Sequence, residues 1–131
     1  MNMECVPDGM EPEIVLSALS ALRIPPGTSE LEMHARIAAG LEAAGIACTH
    51  EAKLAPRCRI DFLADGIGIE VKRGRPPRRV LLRQLGRYAA CEGVRALILV
   101  VERSANLPAR VGGKPCYCLS MNRLWGIALP V

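Results

Sequence analysis

Three side chains have the types and spacing for metal-assisted phosphoryl chemistry: Asp61, eight intervening residues, then Glu70-Val71-Lys72. Asp65-Gly66 between them is the strongest short hairpin signal a sequence carries, because both residues tolerate the positive φ of a two-residue turn. With that turn, Ala64 stands opposite Ile67, Phe62 opposite Ile69, Ile60 opposite Val71, and Asp61 opposite Glu70. Directly opposed side chains lie about 5 Å apart, and like charges there are destabilising. Ile60, Phe62, Ile67, Ile69 and Val71 are expected on the other face, where burial fixes the register and holds the acids together. Two converging carboxylates suit a hard cation such as Mg2+. Such an ion polarises a phosphoryl oxygen and lowers the pKa of a bound water. Lys72, two residues past Glu70, shares its face and can hold the attacking water or balance charge on phosphate. The plainer reading is a solvated network of Asp61, Glu70, Lys72 and Arg59 on an exposed sheet face.

The elements that must carry these residues follow from periodicity and punctuation. Residues 11–23 read as a helix ended by Pro25-Pro26-Gly27. Thr28-Ser29 opens a second helix from Glu30 to about Ala44, where Ser29 and Glu32 have capping-box spacing and Gly45 is a natural stop. Residues 46–54, 57–64 and 67–72 read as strands. Gly74, Pro76 and Pro77 make a rigid loop, and Arg79 to about Glu92 has Leu81, Leu85, Tyr88 and Ala89 at helical spacing. Residues 96–102 form an apolar run suited to a central strand covered on both faces. Residues 103–113 read as a loop, 115–120 as a strand and 122–128 as a terminal turn or short helix. The order α-α-β-β-β-α-β-β-α gives an α/β fold, a mixed sheet flanked by helices.

The charge is unevenly spread. The chain has 131 residues, ordinary for one domain, and a net charge of +4. Residues 1–52 carry eight acids against two arginines, and the rest carry fifteen cations against five acids. Fourteen of the seventeen cations are arginine, whose fork grips phosphate in two places. Lys72, Arg73, Arg75, Arg78, Arg79, Arg83, Arg87 and Arg95 face a single acid, Glu92, giving +7 within 24 residues. Arg79, Arg83 and Arg87 recur every fourth residue, a helical stripe that can follow a phosphate backbone. With only four aromatics, platforms that bind single strands by base stacking are disfavoured. The start of the chain lacks a basic segment followed by an apolar one, so a cytoplasmic protein is expected. No membrane association is expected either, since the longest apolar run is six residues. Six cysteines then read as thiols, and Cys48-x-His50 with Cys116-x-Cys118 reads as buried small side chains before it reads as a zinc site.

The Asp61…Glu70-Val71-Lys72 pattern, followed on the next helix by Gln84-x-x-x-Tyr88, resembles the PD-(D/E)xK, or restriction-endonuclease-like, nuclease superfamily, in particular its RecB-type and Holliday-junction-resolvase-like branches. The resemblance implies an αβββαβ core between Ser29 and Glu102, in a domain spanning 28–131 behind an N-terminal helical extension, 1–27. It implies a Mg2+- (or Mn2+-) dependent DNA nuclease, endonuclease or exonuclease. Asp61 and Glu70 would be metal ligands, with the Val71 carbonyl a third, and Lys72 would be the catalytic lysine. Gln84 and Tyr88, one turn apart, would reach the site or the DNA; on the plainer reading Tyr88 is core and Gln84 its polar edge. A further acid from the first core helix would be Glu32 or Glu30. Glu51, His34 and His50 are weaker candidates, read as structural rather than catalytic. Arg73, Arg75, Arg78, Arg79, Arg83 and Arg87 would hold DNA. Ile60 replaces the motif's nominal proline, and the cysteines do not fit the iron–sulfur plan of some RecB-type enzymes. A domain this small would cut both strands as a homodimer. The competing readings are a catalytically inactive nucleic-acid-binding module on the same fold and a basic structural subunit.

Overall fold

Ser29 accepts a hydrogen bond from the Glu32 N–H (3.1 Å) and so starts α2, Glu30–Ala43, the helix that packs beside the acidic pair. At its far end Gly45, at φ +77°, lets the Gly45 and Ile46 N–H groups return to the Glu42 and Leu41 carbonyls at 2.9 Å. This is a Schellman closure, and it keeps Ile46 in the cap, so the first strand begins later than its apolar residues suggest. The computed structural model describes residues 9–74, 76–102 and 105–120; Arg75 and the turn or helix expected at 122–128 lie outside the described residues.

The other elements are α1 (Pro12–Ser20), β1 (Thr49–Ala55), β2 (Cys58–Ala64), β3 (Ile67–Lys72), α3 (Arg78–Ala89), β4 (Ala96–Val101), β5 (Arg110–Val111) and β6 (Lys114–Ser120). They form a mixed α/β fold whose six-stranded sheet has the order β1-β2-β3-β4-β6-β5. β1, β2 and β3 are an antiparallel meander, and β3, β4 and β6 run parallel. The short β5 lies in the stretch expected to be a loop; Gly112 and Gly113, at φ +58° and +79°, turn the chain back onto β6. All six residues of β4 are buried, as a central strand requires. Among the described residues no helix is long and apolar enough to cross a membrane.

Two apolar clusters cover the two faces. On one, Val15 and Leu19 of α1 and Met33, Ile37 and Leu41 of α2 pack on Phe62, Ile67, Ile69, Val71, Ile98 and Val100. On the other, Leu81, Leu85 and Tyr88 of α3 pack on Leu97, Leu99 and Val101. The Asp65-Gly66 turn is as the sequence predicts, with φ of +50° and +83° and the rungs Ala64–Ile67 and Phe62–Ile69 in place. Arg95 clamps it by donating to the Asp65 carbonyl.

One expectation fails at the important place. Ile60 does not share a face with Phe62: it packs with Cys58 and Ala52 on the α3 side. The ladder between β2 and β3 stops at Phe62–Ile69, and the Val71 N–H goes to the Asp61 carboxylate (2.8 Å). Side chains therefore change faces at Asp61, and across the hairpin they change at Glu51, between His50–Phe62 and Ala52–Ile60. Gly68 makes room for the switch, since a Cβ there would lie 2.6 Å from Ile60 Cδ1 and 3.2 Å from Leu97 Cδ2. Gly68→Ala is expected to destabilise the fold by about 1–3 kcal/mol, the usual cost of overpacking. A urea midpoint that falls at constant m-value checks this.

Candidate active site

Asp61 and Glu70 meet where β2 and β3 part. Glu70, 5% exposed, sits on the α3 face and lies 3.1 Å from Lys72 Nζ through Oε2. Gln84 Nε2 donates to the same oxygen (3.3 Å) and to the Tyr88 hydroxyl (2.9 Å). The Asp61 N–H points at Glu70 Oε1, at 3.4 Å. The Asp61 carboxylate turns the other way, taking the Val71 N–H and standing 3.7 Å from His34 Nε2 on α2. The two acids are thus neighbours, but through a twisted strand rather than as the flat opposed pair the register implied. Among the described residues Lys72 is the lysine or arginine in ion-pair contact with this pair, through Glu70.

The electrostatics follow from this packing. Burial pushes the Asp61 carboxyl above its usual range, with the Val71 N–H pulling it down. Burial and then the Asp61 charge push Glu70 up, with Lys72 opposing. Burial and the Glu70 charge also push the Tyr88 phenol up, which keeps it a neutral hydrogen-bonding group. A carboxyl raised in the folded state stabilises the fold below its unfolded pKa, and that stability is lost as pH rises through the raised value. With no divalent ion added, the pair should make the protein more stable at mildly acidic pH than at neutrality. Glu70→Gln should raise the neutral-pH Tm by about 3–6 °C, the shift roughly 1 kcal/mol brings at this size. It should also flatten the pH dependence, as thermal melts across the carboxyl range will show.

Of the remaining candidates, Gln84 reaches the site and Val71 joins it through its N–H. Tyr88 is core, as the plainer reading has it: it is buried, and its hydroxyl accepts from Gln84. Glu32 is not brought in; it pairs with Arg36 on the exposed side of α2 at 3.1 Å. Glu30, one turn before His34, comes within 4.0 Å of the His34 ring. Arg73, Arg78, Arg79, Arg83 and Arg87 are exposed. Arg78 donates to the Asn106 carbonyl and Arg87 to the Arg57 carbonyl on the β1–β2 turn. Arg79 and Arg83 have no ion pair among the described residues.

Two groupings are not legible in the sequence, although His34, His50 and Glu51 are each named there as single weaker candidates. His34, His50 and Glu51 converge although they come from α2 and β1. The signal was a polar His34 beside the buried stripe Met33, Ile37 and Leu41, which reads equally well as packing. Lys53, Arg57 and Arg59 form a second basic patch on the hairpin, where Arg87 ties it to α3. Lys53 and Arg59 are direct cross-strand partners, an unfavourable like-charge pairing that a bound anion would relieve. The class defined by fold and site is therefore a mixed α/β protein in which buried Glu70 stands with half-buried Asp61 and Lys72 beside a basic face. Comparison with protein-family models, curated proteins and solved structures found no match for the chain.

Proposed function

We propose that the chain is a Mg2+- or Mn2+-dependent nuclease that hydrolyses DNA phosphodiesters, on a restriction-endonuclease-like αβββαβ core of the PD-(D/E)xK type. What supports the fold reading is the succession α2-β1-β2-β3-α3-β4, in the order that superfamily uses. The observation that carries the function is Glu70: a buried carboxylate beside a second acid, with one lysine to balance the two. Holding such a pair costs stability, and hard oxygen donors raised by burial fit a divalent cation that would offset the repulsion.

Asp61 and Glu70 would hold the ion, which when bound polarises a phosphoryl oxygen and acidifies a water. Lys72 orients that water and counters charge developing on the phosphate. Gln84 fixes the Glu70 carboxylate, and Tyr88 fixes Gln84. Around them, Arg79, Arg83 and Arg87 with Lys53, Arg57 and Arg59 contact successive phosphates. The start of α3 fits this role: it has no side-chain cap and begins with Arg78 and Arg79, cations where the helix dipole favours an anion.

Incubation with duplex, single-stranded, flap and four-way-junction DNA in Mg2+, Mn2+ or EDTA tests the reading. Cleavage of at least one substrate, abolished by EDTA, is expected. Salt-sensitive DNA binding without cleavage, unaffected by Glu70→Gln, would instead mark a binding module.

A further inference from the structure

His34 and His50 are joined ring to ring, with Nδ1 of the first 2.9 Å from Nε2 of the second. One proton lies between two nitrogens, and neither placement serves His34. If the proton belongs to His34, the bare Nε2 lone pair faces the carboxylates of Asp61 at 3.7 Å and Glu30 at 4.0 Å. If it belongs to His50, the His34 Nε2–H is buried with no acceptor within hydrogen-bonding distance. His34 is only 6% exposed, and its Nε2 is buried. Leaving such a group unpaired costs stability, because the desolvation of a buried polar atom is then not offset.

Glu51 adds a third group. Neighbouring residues of a strand normally point to opposite faces, which would carry Glu51 away from His50. The Glu51 backbone instead takes φ +56°, and its carboxylate comes 3.7 Å from His50 Nε2. A non-glycine residue held there is strained and persists where the surroundings demand it. His50 is itself oriented by stacking on Phe62, with ring centroids 4.7 Å apart. The ligand atoms of His34, His50 and Glu51 all lie within 4.8 Å of one another.

We infer that His34 Nδ1, His50 Nε2 and the Glu51 carboxylate form a second metal site, separate from the Asp61–Glu70 pair and suited to a borderline transition ion such as Zn2+. Two imidazoles and one carboxylate match the ligand preference of that class and not of Mg2+. An ion in place of the shared proton lets each ring keep its proton on the other nitrogen. The His34 Nε2–H then faces Asp61, the carboxylate–histidine–metal relation that orients ligands from outside the first shell. His50 and Glu51 are about half exposed, which leaves the fourth position open to solvent. The inference does not rest on the nuclease reading, since its ligands are none of Asp61, Glu70 and Lys72 and Asp61 enters only as the outer partner of His34.

The test is Co2+ titration of the chelator-treated 131-residue chain, followed by visible d–d absorption and by displacement with Zn2+. With Mg2+ in excess to occupy the carboxylate pair, one equivalent of Co2+ is expected, with the intense band of a low-symmetry site containing nitrogen ligands. His50→Ala and Glu51→Gln, both at exposed positions and checked by thermal melting, should weaken binding by more than the roughly 10–100-fold that loss of an outer partner costs. Glu70→Gln should leave it unchanged, and Asp61→Asn should stay within that outer-partner range. No binding by the wild type would overturn the site. So would binding that survives His50→Ala and Glu51→Gln but disappears with Glu70→Gln, which would place the ion on the carboxylate pair. The readout is ion binding, so its failure is distinct from a failure to cut DNA.

Discussion

Asp61→Asn is expected to lower Mg2+-dependent DNA cleavage by on the order of 100- to 1,000-fold, the loss typical of removing one electrostatic contributor from a preorganised site. The substitution is chosen for what it preserves. Asparagine keeps an oxygen that can accept the Val71 N–H, which the Asp61 carboxylate takes at 2.8 Å. That oxygen is also the one 3.7 Å from His34 Nε2, so the amide N–H2 takes the other position and the oxygen keeps facing the ring. The parting of β2 and β3 should therefore survive, and with it the position of Glu70. Removing a charge that burial disfavours should leave the melting temperature equal or higher. Unchanged DNA binding with lost cleavage is the signature of a ligand, while lost folding or lost binding would mark Asp61 as structural. Single-turnover rates beside binding isotherms in Ca2+ separate these cases.

The second large effect belongs to the arginine stripe. Arg79, Arg83 and Arg87 are exposed along α3, and on an ideal helix their stripe drifts toward the Gln84 edge with each turn. Each phosphate neutralised contributes about 0.9 to the slope of log K against log salt on duplex DNA. Changing all three to glutamine should flatten that slope by roughly 2–3 and weaken binding most at low salt. Arg87 donates to the Arg57 carbonyl, so its loss should also loosen the hairpin patch of Lys53, Arg57 and Arg59. A salt series by fluorescence anisotropy measures the slope. An unchanged slope would mean that the stripe faces solvent or an acidic protein instead.

How much of this was legible in the sequence depended on whether local rules decided the outcome. The Asp65-Gly66 turn, the Ser29 cap and the Gly45 stop are set by a few neighbouring residues, and each is where the sequence puts it. β4 was readable because a six-residue apolar run has few other places to go. The change of faces at Asp61 was not, because strict alternation put Ile60 with Phe62. What overrides alternation is tertiary: Ile60 lies across Gly68 under Leu97. An interior strand glycine is the one hint, since it marks close approach by another group. The acidic pair was foreseen in identity and proximity, though not in geometry. Glu32 shows the opposite limit, having a good local reason to be where it is, as first-turn acid paired with Arg36, that outweighed a role at the site. The meeting of His34, His50 and Glu51 depends on α2 crossing β1 and on a left-handed backbone at Glu51, and neither has a local signal.

The central claim is that Asp61, Glu70 and Lys72 cut phosphodiesters, and Lys72 tests it most directly because it lies 3.1 Å from Glu70 and is the least buried of the three. The measurement is the single-turnover cleavage rate of wild type and Lys72→Ala in Mg2+, at protein concentrations that saturate the same DNA. Metal-dependent cleavage by the wild type, and a rate lower by on the order of 100-fold or more in the variant at equal occupancy, is the predicted result. Equal rates at equal occupancy, or no cleavage by the wild type in either Mg2+ or Mn2+, would contradict it.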